Sequence, residues 1–297
     1  MINRVLITGS RGFTGHYVAA EFEAHGWEVW GLGKQSAAGI PRYACVDLLD
    51  LEGLTTAVKS VRPDIILHLA ALAFVGHGRS SDFYTVNVIG TLNLLEAISN
   101  SGVEPAHVVI ASSANIYGNS IGGQIPESTP ANPENDYAVS KYAMERLVHL
   151  WRHRHPITLV RPFNYTGIGQ SEDFLAPKIV RHFLDRAPRI ELGNLDVSRD
   201  FSDVRDIAKF YRLIAERRPE LEVLNMCSGS SVSLRTMLDM ATTVSGHELE
   251  VKINPDFVRA NEVKALCGDT SALEASIGPT TRTHFADTLS WMLAQIP

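Results

Sequence analysis

The sequence predicts an α/β protein in which a doubly wound parallel sheet is accompanied by a smaller C-terminal lobe of α+β character. Three observations lead to this prediction. Short, almost wholly apolar runs recur through the first half of the chain, helical segments lie between them, and a glycine-rich turn follows the first run. Apolar runs of this length suit parallel strands that are covered on both faces, and repeated strand–helix–strand units build a doubly wound sheet.

The individual elements follow from the same patterns. Strands are predicted at 5–8, 28–32, 65–69, 108–111 and 157–160, and helices at 51–60, 82–99 and 137–154. In the second of these helices, Val88, Leu92 and Leu95 recur at helical spacing and form one apolar face. We therefore expect each helix to cover the sheet through one apolar side.

The pattern changes after Arg161, where prolines and glycines interrupt the chain and the elements become short and mixed. We therefore place one domain at 1–161 and a smaller lobe at 162–297. The helix predicted at 204–216 and the strand at 221–226 are expected to return to the first sheet, so that 204–226 belongs structurally to the first domain.

Composition places the chain among globular proteins and excludes some functions. The 297 residues are 45% apolar and 20% charged, with a formal net charge of −6, which argues against a general binder of nucleic acid or membrane surfaces. Cys45, Cys227 and Cys267 are far apart and form no metal-binding pair, which suits a reducing compartment. With no signal peptide and no apolar run long enough to span a bilayer, we expect a cytoplasmic protein without a metal site.

Tyr137 and Lys141 form the first candidate for catalytic chemistry. Residues four apart on a helix share a face, so the lysine ammonium can lie near the phenol. A neighbouring cation favours the phenolate and lowers a tyrosine pKa from its usual value of about 10. The pair therefore predicts a tyrosine that exchanges a proton with a substrate oxygen. The segment 119–136, rich in proline and glycine, precedes the pair and is expected to be an active-site wall.

The glycine-rich turn predicts a dinucleotide site. Gly9, Gly12 and Gly15 follow the first strand and open a helix, which lets the backbone approach a pyrophosphate at a helix N-terminus. Enzymes that use NAD usually carry an acid at the end of the second strand, but residues 30–36 contain none. Arg11 and Lys34 are two cations that could flank a 2′-phosphate. We therefore favour NADP(H), with NAD(H) as the alternative.

Taken together, these motifs resemble the extended short-chain dehydrogenase/reductase family along nearly the whole chain. The matching strings are GSRGFTG at 9–15, Asp47-Leu48 after the third strand, LHLAA at 67–71, VNVIGTLNLLEA at 86–97, SSANIYG at 112–118, YAVSK at 137–141 and RPFN at 161–164. The resemblance implies a Rossmann fold, a catalytic group and a set of residues around the cofactor. The implied catalytic residues are Ser113, Tyr137 and Lys141, and the implied cofactor residues are Gly9, Arg11, Gly12, Phe13, Thr14, Gly15, Lys34, Asp47, Leu48, Leu69, Ala70, Ala71, Tyr137 and Lys141. In this family a homodimer through the helices at 82–99 and 137–154 is also implied.

The second half resembles enzymes that act on sugars derived from GDP-mannose. The strings are FLAPKIV at 174–180, ELGNLDVSRDFSDVRDIAKFY at 191–211 and VRANEVKALCGDTSALEASIG at 258–278. Their resemblance to GDP-mannose 4,6-dehydratases and GDP-4-keto-6-deoxy-D-mannose reductases implies a GDP-linked sugar as substrate, used in making polysaccharides. It implies guanine contacts from Leu192 and Asn194, diphosphate cations at Lys178, Arg199 and Arg259, and a nucleotide acceptor at Glu262. Clustered Arg and Lys would hold an anionic nucleotide in an acidic protein.

Asn115 discriminates among the reactions of these relatives. Dehydratases carry a glutamate at this position for acid–base work, and an amide neither takes nor gives a proton near neutral pH. We therefore expect reduction of the C4 ketone of GDP-4-keto-6-deoxy-D-mannose, giving GDP-D-rhamnose, with Asn115 and Asn164 orienting the sugar. A 4-epimerase with tightly bound NAD, a 4,6-dehydratase and a non-catalytic dinucleotide-binding regulator stay as alternatives, and the rhamno or talo configuration stays open.

Overall fold

The computed structural model describes residues 3–36, 39–73, 79–119, 123–257 and 265–294. The strands in chain order are β1 (Arg4–Thr8), β2 (Glu28–Gly33), β3 (Tyr43–Cys45), β4 (Ile65–His68), β5 (His107–Ala111), β6 (Gln124–Ile125), β7 (Ile157–Pro162), β8 (Asn164–Thr166), β9 (Arg189–Leu192), β10 (Ser198–Asp203), β11 (Val223–Met226), β12 (Ser231–Ser233), β13 (Glu250–Ile253) and β14 (Ala265–Gly268). The α-helices are α1 (Phe13–Ala24), α2 (Leu51–Val61), α3 (Ser80–Tyr84), α4 (Gly90–Ser101), α5 (Asp136–Trp151), α6 (Leu175–Leu184), α7 (Val204–Arg217), α8 (Leu234–Ser245), α9 (Ser271–Ile277) and α10 (Phe285–Leu293). A π-turn (Thr85–Ile89) joins α3 to α4.

Seven strands form one parallel sheet in the order β11-β7-β5-β4-β1-β2-β3. The chain order reverses between β1 and β4, which creates a crevice at the carboxyl ends of these two strands, where ligands bind in such sheets. The predicted fold class, a doubly wound parallel sheet with a smaller lobe, is confirmed. The strand β11 lies at the edge of this sheet beside β7.

Both faces of the sheet are covered because the strands are apolar on both sides. On one face Val5, Ile7 and Leu67 pack against α1 and α7. On the other face Leu6 and Ile66 pack against α2, α4 and α5. Burial of this kind stabilises by about 25 cal/mol per Å² of apolar surface, so the sheet forms a rigid base for the residues at its carboxyl edge.

The helix predicted at 82–99 is interrupted. The chain forms a short helix, then the π-turn and then α4, and the turn buries Asn87. Single π-turns inside helices are frequent at functional sites. The apolar spacing of the sequence continues through the turn, so the pattern alone did not predict the interruption.

In the described residues, the C-terminal lobe consists of two small sheets and the helices α6, α8 and α10. One sheet has the order β12-β10-β14-β6, with β8 also paired to β10, and the other pairs β13 with β9. The helices α6, α8 and α10 enclose a separate apolar core around Phe183, Phe201 and Leu289. The strands β8 and β10 bring this lobe to the carboxyl edge of the main sheet, where Tyr165 contacts α1, and we call the boundary between the lobe and this edge the cleft.

Candidate functional site

The glycine-rich turn after β1 has the shape that a dinucleotide pyrophosphate needs. Gly9 has a φ of +71°, and a Cβ added to Gly15 would lie 2.2 Å from the Gly9 carbonyl oxygen. No side chain caps the N-terminus of α1, where Gly12 is the capping residue. The first-turn amides of α1 therefore face the turn as donors for an anion, and the residues present fit a nicotinamide dinucleotide.

Arg11 and Lys34 lie together at the end of β2. The guanidinium of Arg11 donates to the Ser36 carbonyl at 3.1 Å and lies 6.0 Å from the centre of the Tyr43 ring. Lys34 is exposed in the same loop, whose described residues 34–36 contain no acid. Two cations at this point suit a 2′-phosphate better than two ribose hydroxyls alone.

The other predicted cofactor residues line the same edge of the sheet. Asp47 is exposed and its carboxylate accepts from the Leu49 amide at 3.0 Å, whereas Leu48 is buried against α4. Phe13 and Thr14 begin α1 and contact the C-terminal lobe through Tyr165. The segment after β4, which holds Leu69, Ala70 and Ala71, is half-buried, and the Ala70 amide donates to the Thr8 hydroxyl at 3.2 Å.

The structure brings the three predicted catalytic residues together. Ser113 follows β5, is buried, and hydrogen-bonds through its side chain to the Tyr137 phenol. Tyr137 and Lys141 lie one turn apart on α5, where Asn135 caps the helix by accepting from the Ala138 amide at 2.9 Å. The group therefore has a hydroxyl donor, a phenol and an ammonium at one end of the cleft.

The predicted lowering of the Tyr137 pKa by Lys141 is wrong. Burial raises the pKa of Tyr137 to about 12, and the hydrogen bond from Ser113 opposes this only in part. The Lys141 ammonium donates instead to the Ala111 carbonyl at 2.7 Å, and burial lowers its own pKa to about 8. Tyr137 is therefore protonated at neutral pH, which is the form that a proton donor requires.

A buried histidine behind the site was not among the predicted residues. His68 Nδ1 lies 2.7 Å from the Thr8 hydroxyl, and Nε2 lies 2.9 Å from the Thr91 hydroxyl. The Thr91 hydroxyl donates to the Asn87 carbonyl at 2.7 Å, so it must accept from Nε2–H. Burial lowers the pKa of His68 to about 3, so the ring is neutral and a single tautomer is fixed.

Asn87 connects this histidine to the catalytic helix. Its side chain is 1% exposed, accepts from the Leu72 amide at 2.9 Å, and donates to the Leu72 carbonyl and to the Ser140 hydroxyl at 3.1 and 3.0 Å. The Ser140 hydroxyl donates to the Tyr137 carbonyl at 2.7 Å. The π-turn thus holds both the segment after β4 and α5. This role of Asn87 was not predicted from the sequence. The signal that could have indicated it is a polar asparagine inside an otherwise apolar helical stretch.

A buried ion pair supports the other side of α5. Arg161 donates to the Glu145 carboxylate from Nε at 2.9 Å and from Nη2 at 2.7 Å. Its Nη1 donates to the Tyr117 hydroxyl at 2.9 Å and to the Glu127 carbonyl at 3.1 Å. Burial would lower the pKa of Arg161, but the Glu145 carboxylate raises it above the usual value. The pair thus fixes α5 and the loop that contains Glu127 to β7.

Two predicted sugar contacts lie at the mouth of the cleft. Asn115 is exposed and follows Ser113 in a single helical turn (Ala114–Tyr117). Asn164 is exposed at the start of β8, and its amide donates to the Asp200 carbonyl at 3.3 Å. Both side-chain amides are therefore exposed, and Asn115 lies two residues after Ser113.

The predicted nucleotide contacts lie in the C-terminal lobe. Lys178 donates to the Glu191 carbonyl at 3.1 Å, the Asn194 side chain accepts from the Asp196 amide at 3.0 Å, and Arg199 donates to the Ser198 carbonyl at 2.9 Å. Leu192 is 2% exposed in the lobe core and its carbonyl accepts from the Asn254 amide at 2.8 Å, so the structure does not present this residue to a base. Arg259 and Glu262 lie outside the described residues.

The described ranges lack two further features. No helix in these ranges has the length and apolarity needed to cross a bilayer. Within the same ranges, no group of three or more His, Cys, Asp or Glu side chains could hold a metal ion.

Comparison with known proteins adds to this geometry. The family model of GDP-mannose 4,6 dehydratase matches residues 6–292. The chain is 37% identical over 277 residues to the GDP-6-deoxy-D-talose 4-dehydrogenase of Aggregatibacter actinomycetemcomitans, covering 93% of this chain and 91% of that protein. It is 30% identical over 289 residues to the GDP-6-deoxy-D-mannose reductase of Pseudomonas aeruginosa, covering 94% and 92%.

Two solved structures have the same fold along their full length. A candidate epimerase from Burkholderia cenocepacia J2315 is 45% identical with a TM-score of 0.94, covering 99% of this chain and 98% of that one. RMD from Pseudomonas aeruginosa, solved with NADPH, is 27% identical with a TM-score of 0.86, covering 98% of each chain. The predicted resemblance to short-chain dehydrogenase/reductases and the enzyme class that it implies are confirmed. The protein belongs to the GDP-mannose 4,6-dehydratase family within the short-chain dehydrogenase/reductases.

Proposed function

We propose that the protein reduces the C4 ketone of GDP-4-keto-6-deoxy-D-mannose to a GDP-6-deoxyhexose, with GDP-D-rhamnose as the product. One observation carries the proposal: Ser113, Tyr137 and Lys141 meet at the cleft while Asn115, exposed beside them, occupies the position of the dehydratase glutamate. The site therefore has a proton donor for a C4 oxygen and lacks, at this position, a base for elimination. The two GDP-sugar relatives support C4 redox chemistry.

The residues divide the reaction between them. When bound, NADPH supplies the hydride that adds to the C4 carbonyl carbon. Tyr137, which holds its proton because burial raises its pKa to about 12, gives that proton to the developing C4 oxyanion. Ser113 donates a hydrogen bond to the same oxygen and disperses its charge. Lys141, whose ammonium donates to the Ala111 carbonyl, orients the nicotinamide ribose. Its positive charge also stabilises the Tyr137 phenolate that remains after the proton has been given.

The cofactor is a nicotinamide dinucleotide held by the turn after β1. We favour NADPH over NADH because Arg11 and Lys34 stand at the end of β2, where NAD enzymes carry an acid. RMD from Pseudomonas aeruginosa, a structural neighbour, was solved with NADPH. On the substrate side, Lys178 and Arg199, together with Arg259 and Glu262, are assigned to the GDP, and Asn115 and Asn164 to the sugar.

The talo product is the second candidate, because the 37% identical relative is named for GDP-6-deoxy-D-talose. The two products differ only in which face of C4 receives the hydride. A 4-epimerase is the third candidate, since the 45% identical structure is that of a candidate epimerase. An epimerase would return its hydride to the sugar and consume no NADPH.

Product analysis separates these candidates. The protein is incubated with GDP-4-keto-6-deoxy-D-mannose and either NADPH or NADH, and nicotinamide absorbance is followed. The product is then examined by proton NMR, where a large H3–H4 coupling identifies the rhamno and a small one the talo configuration. Flat NADPH absorbance with conversion of UDP-galactose would replace the reductase by an epimerase, and release of a ketosugar from GDP-mannose would replace it by a dehydratase.

We further propose a cytoplasmic homodimer. The three cysteines are unpaired, as a reducing compartment requires. Apolar side chains stand exposed around the helices at 82–99 and 137–154, with Ile89, Val139 and Leu150 the examples, and Leu150 is 68% exposed. A second copy of the chain would cover them. Light scattering on the purified protein tests this, and a monomer at micromolar concentration would contradict it.

A further inference from the structure

Side chains from the glycine-rich turn and the C-terminal lobe contact each other across the cleft. The Thr14 and Tyr165 hydroxyls lie 2.7 Å apart, although the residues are 151 positions apart in sequence. The rings of Phe13 and Tyr165 are stacked, with planes within 8° and centroids 6.1 Å apart. One turn further along α1, the Tyr17 hydroxyl donates to the Ile168 carbonyl at 2.8 Å. The first turns of α1 are thus tied to the segment that follows β7.

On the cofactor side, the Thr14–Tyr165 hydrogen bond is made by the first turn of α1, which a bound pyrophosphate would order. Thr14 is in the first turn of α1, whose N-terminus no side chain caps. Amides left without a cap gain order when an anion accepts from them. A bound dinucleotide would therefore fix the backbone of Thr14 while its side chain points across the cleft to Tyr165.

On the substrate side, the Thr14–Tyr165 hydrogen bond is made by β8. This strand carries Asn164, a proposed sugar contact, and pairs with β10, which carries Arg199, a proposed phosphate contact. Tyr165 pairs with Ser202, and its neighbour Asn164 pairs with Phe201, so β8 follows β10 in parallel. Arg199 lies on the same strand β10. The Tyr165 carbonyl also accepts from the side-chain amide of Gln170 at 3.2 Å, which holds the segment together. A shift of Tyr165 would therefore move Asn164 and the edge of β10.

Tyr165 keeps its proton, as the catalytic Tyr137 does. Burial raises the pKa of both phenols, so the Tyr165 hydroxyl stays protonated and bonded to Thr14 at working pH. One side chain therefore joins the cofactor turn to the strand that carries the proposed substrate contacts.

We infer that the Thr14–Tyr165 hydrogen bond couples the dinucleotide site to the GDP-sugar site, so that each ligand tightens the binding of the other. The inference rests on the proposed function, because it takes these two ligands as the occupants. Ordering of α1 by the first ligand leaves less conformational entropy for the second ligand to remove. Linkage requires the effect to be reciprocal, and one partly buried hydrogen bond between neutral groups gives a coupling factor of about fivefold.

The test measures NADPH binding by nicotinamide fluorescence, without GDP and with saturating GDP as a non-reacting probe. In the unaltered protein, GDP should lower the Kd of NADPH about fivefold. Tyr165→Phe keeps the ring on Phe13 but removes the hydroxyl, and Thr14→Val removes the partner with little change in shape. Each should bring the coupling factor close to one, and the double variant should show no further loss.

Thr166→Val is the matched control, because it removes a hydroxyl bond to Gln170 that stays within the same segment. It should retain the coupling. If Tyr165→Phe does not fold, as judged by circular dichroism, Thr14→Val tests the same bond from the other side. Coupling that persists in both variants, or that is absent from the unaltered protein although both ligands bind, overturns the inference. Failure of NADPH or GDP to bind at all would instead overturn the proposed function.

Discussion

Replacing Glu145 by glutamine tests whether the buried ion pair holds α5 in place. The change keeps the shape of the side chain but leaves the Arg161 guanidinium without its carboxylate. The two side chains are only 5% and 10% exposed, and the shorter of their two bonds is 2.7 Å. Because the guanidinium cannot lose its proton, Glu145→Gln leaves an uncompensated charge inside the protein.

The expected destabilisation follows from that burial. Removing one partner of a buried ion pair costs about 3–5 kcal/mol. With an unfolding entropy of roughly 0.6 kcal/mol/K for a chain of 297 residues, Tm should fall by about 5–8 °C. Glu145→Leu combined with Arg161→Met removes both charges and should recover most of this loss, because a buried pair is worth little against apolar residues of similar volume.

The assay is denaturant unfolding, with Asp185→Asn as the matched control. Asp185 and Arg181 form an ion pair of the same length, 2.7 Å, but their side chains are 49% and 53% exposed. That variant should lose at most about 0.5 kcal/mol. If Glu145→Gln and Asp185→Asn lower the free energy of unfolding equally, the argument from burial is wrong.

Four further predictions concern the site. Tyr137→Phe should lower kcat by about 10²–10⁴-fold with little change in the Kd of GDP, and near-normal turnover would exclude Tyr137 as the proton donor. Arg11→Ala with Lys34→Ala should weaken NADPH by about 10-fold or more and NADH much less, as measured by titration; equal weakening would remove the argument for a 2′-phosphate. Gly15→Ala should abolish dinucleotide binding without unfolding the protein, because the new methyl group meets the Gly9 carbonyl oxygen, and retained affinity would contradict the described turn. Because burial lowers the pKa of Lys141 to about 8, kcat/KM should fall as pH rises through about 8, when the ammonium loses its proton; a plateau to pH 10 would contradict this.

The strands and the glycine-rich turn were predictable because their signals are local. The runs at 5–8, 108–111 and 157–160 agree with β1, β5 and β7 within about two residues, since a parallel strand buried on both faces must be apolar throughout. The positive φ of Gly9 was likewise predictable, because glycine has no Cβ and so tolerates both this conformation and the close approach of a neighbouring backbone.

The contacts that complete the site were not predictable, because their causes lie far away in sequence. Nothing near Arg161 indicates that Glu145 will be its partner, and nothing near Thr14 indicates Tyr165. The pKa of Tyr137 was predicted in the wrong direction for a related reason. Helical spacing gives the distance to Lys141, but the burial that dominates the pKa comes from the packing of the whole domain.

The path of the chain after β10 limits how the protein can be cut into fragments that fold on their own. The helix α7 covers one face of the main sheet through Ile207, Phe210 and Ile214, and β11 then pairs with β7 as the edge strand. A fragment that ends at residue 161 would therefore expose that apolar face and an open strand edge, and would aggregate when expressed alone. Exchange of substrate lobes between relatives must accordingly leave 204–226 with the recipient sheet, together with α9, whose Leu273 and Ile277 lie in the same apolar core.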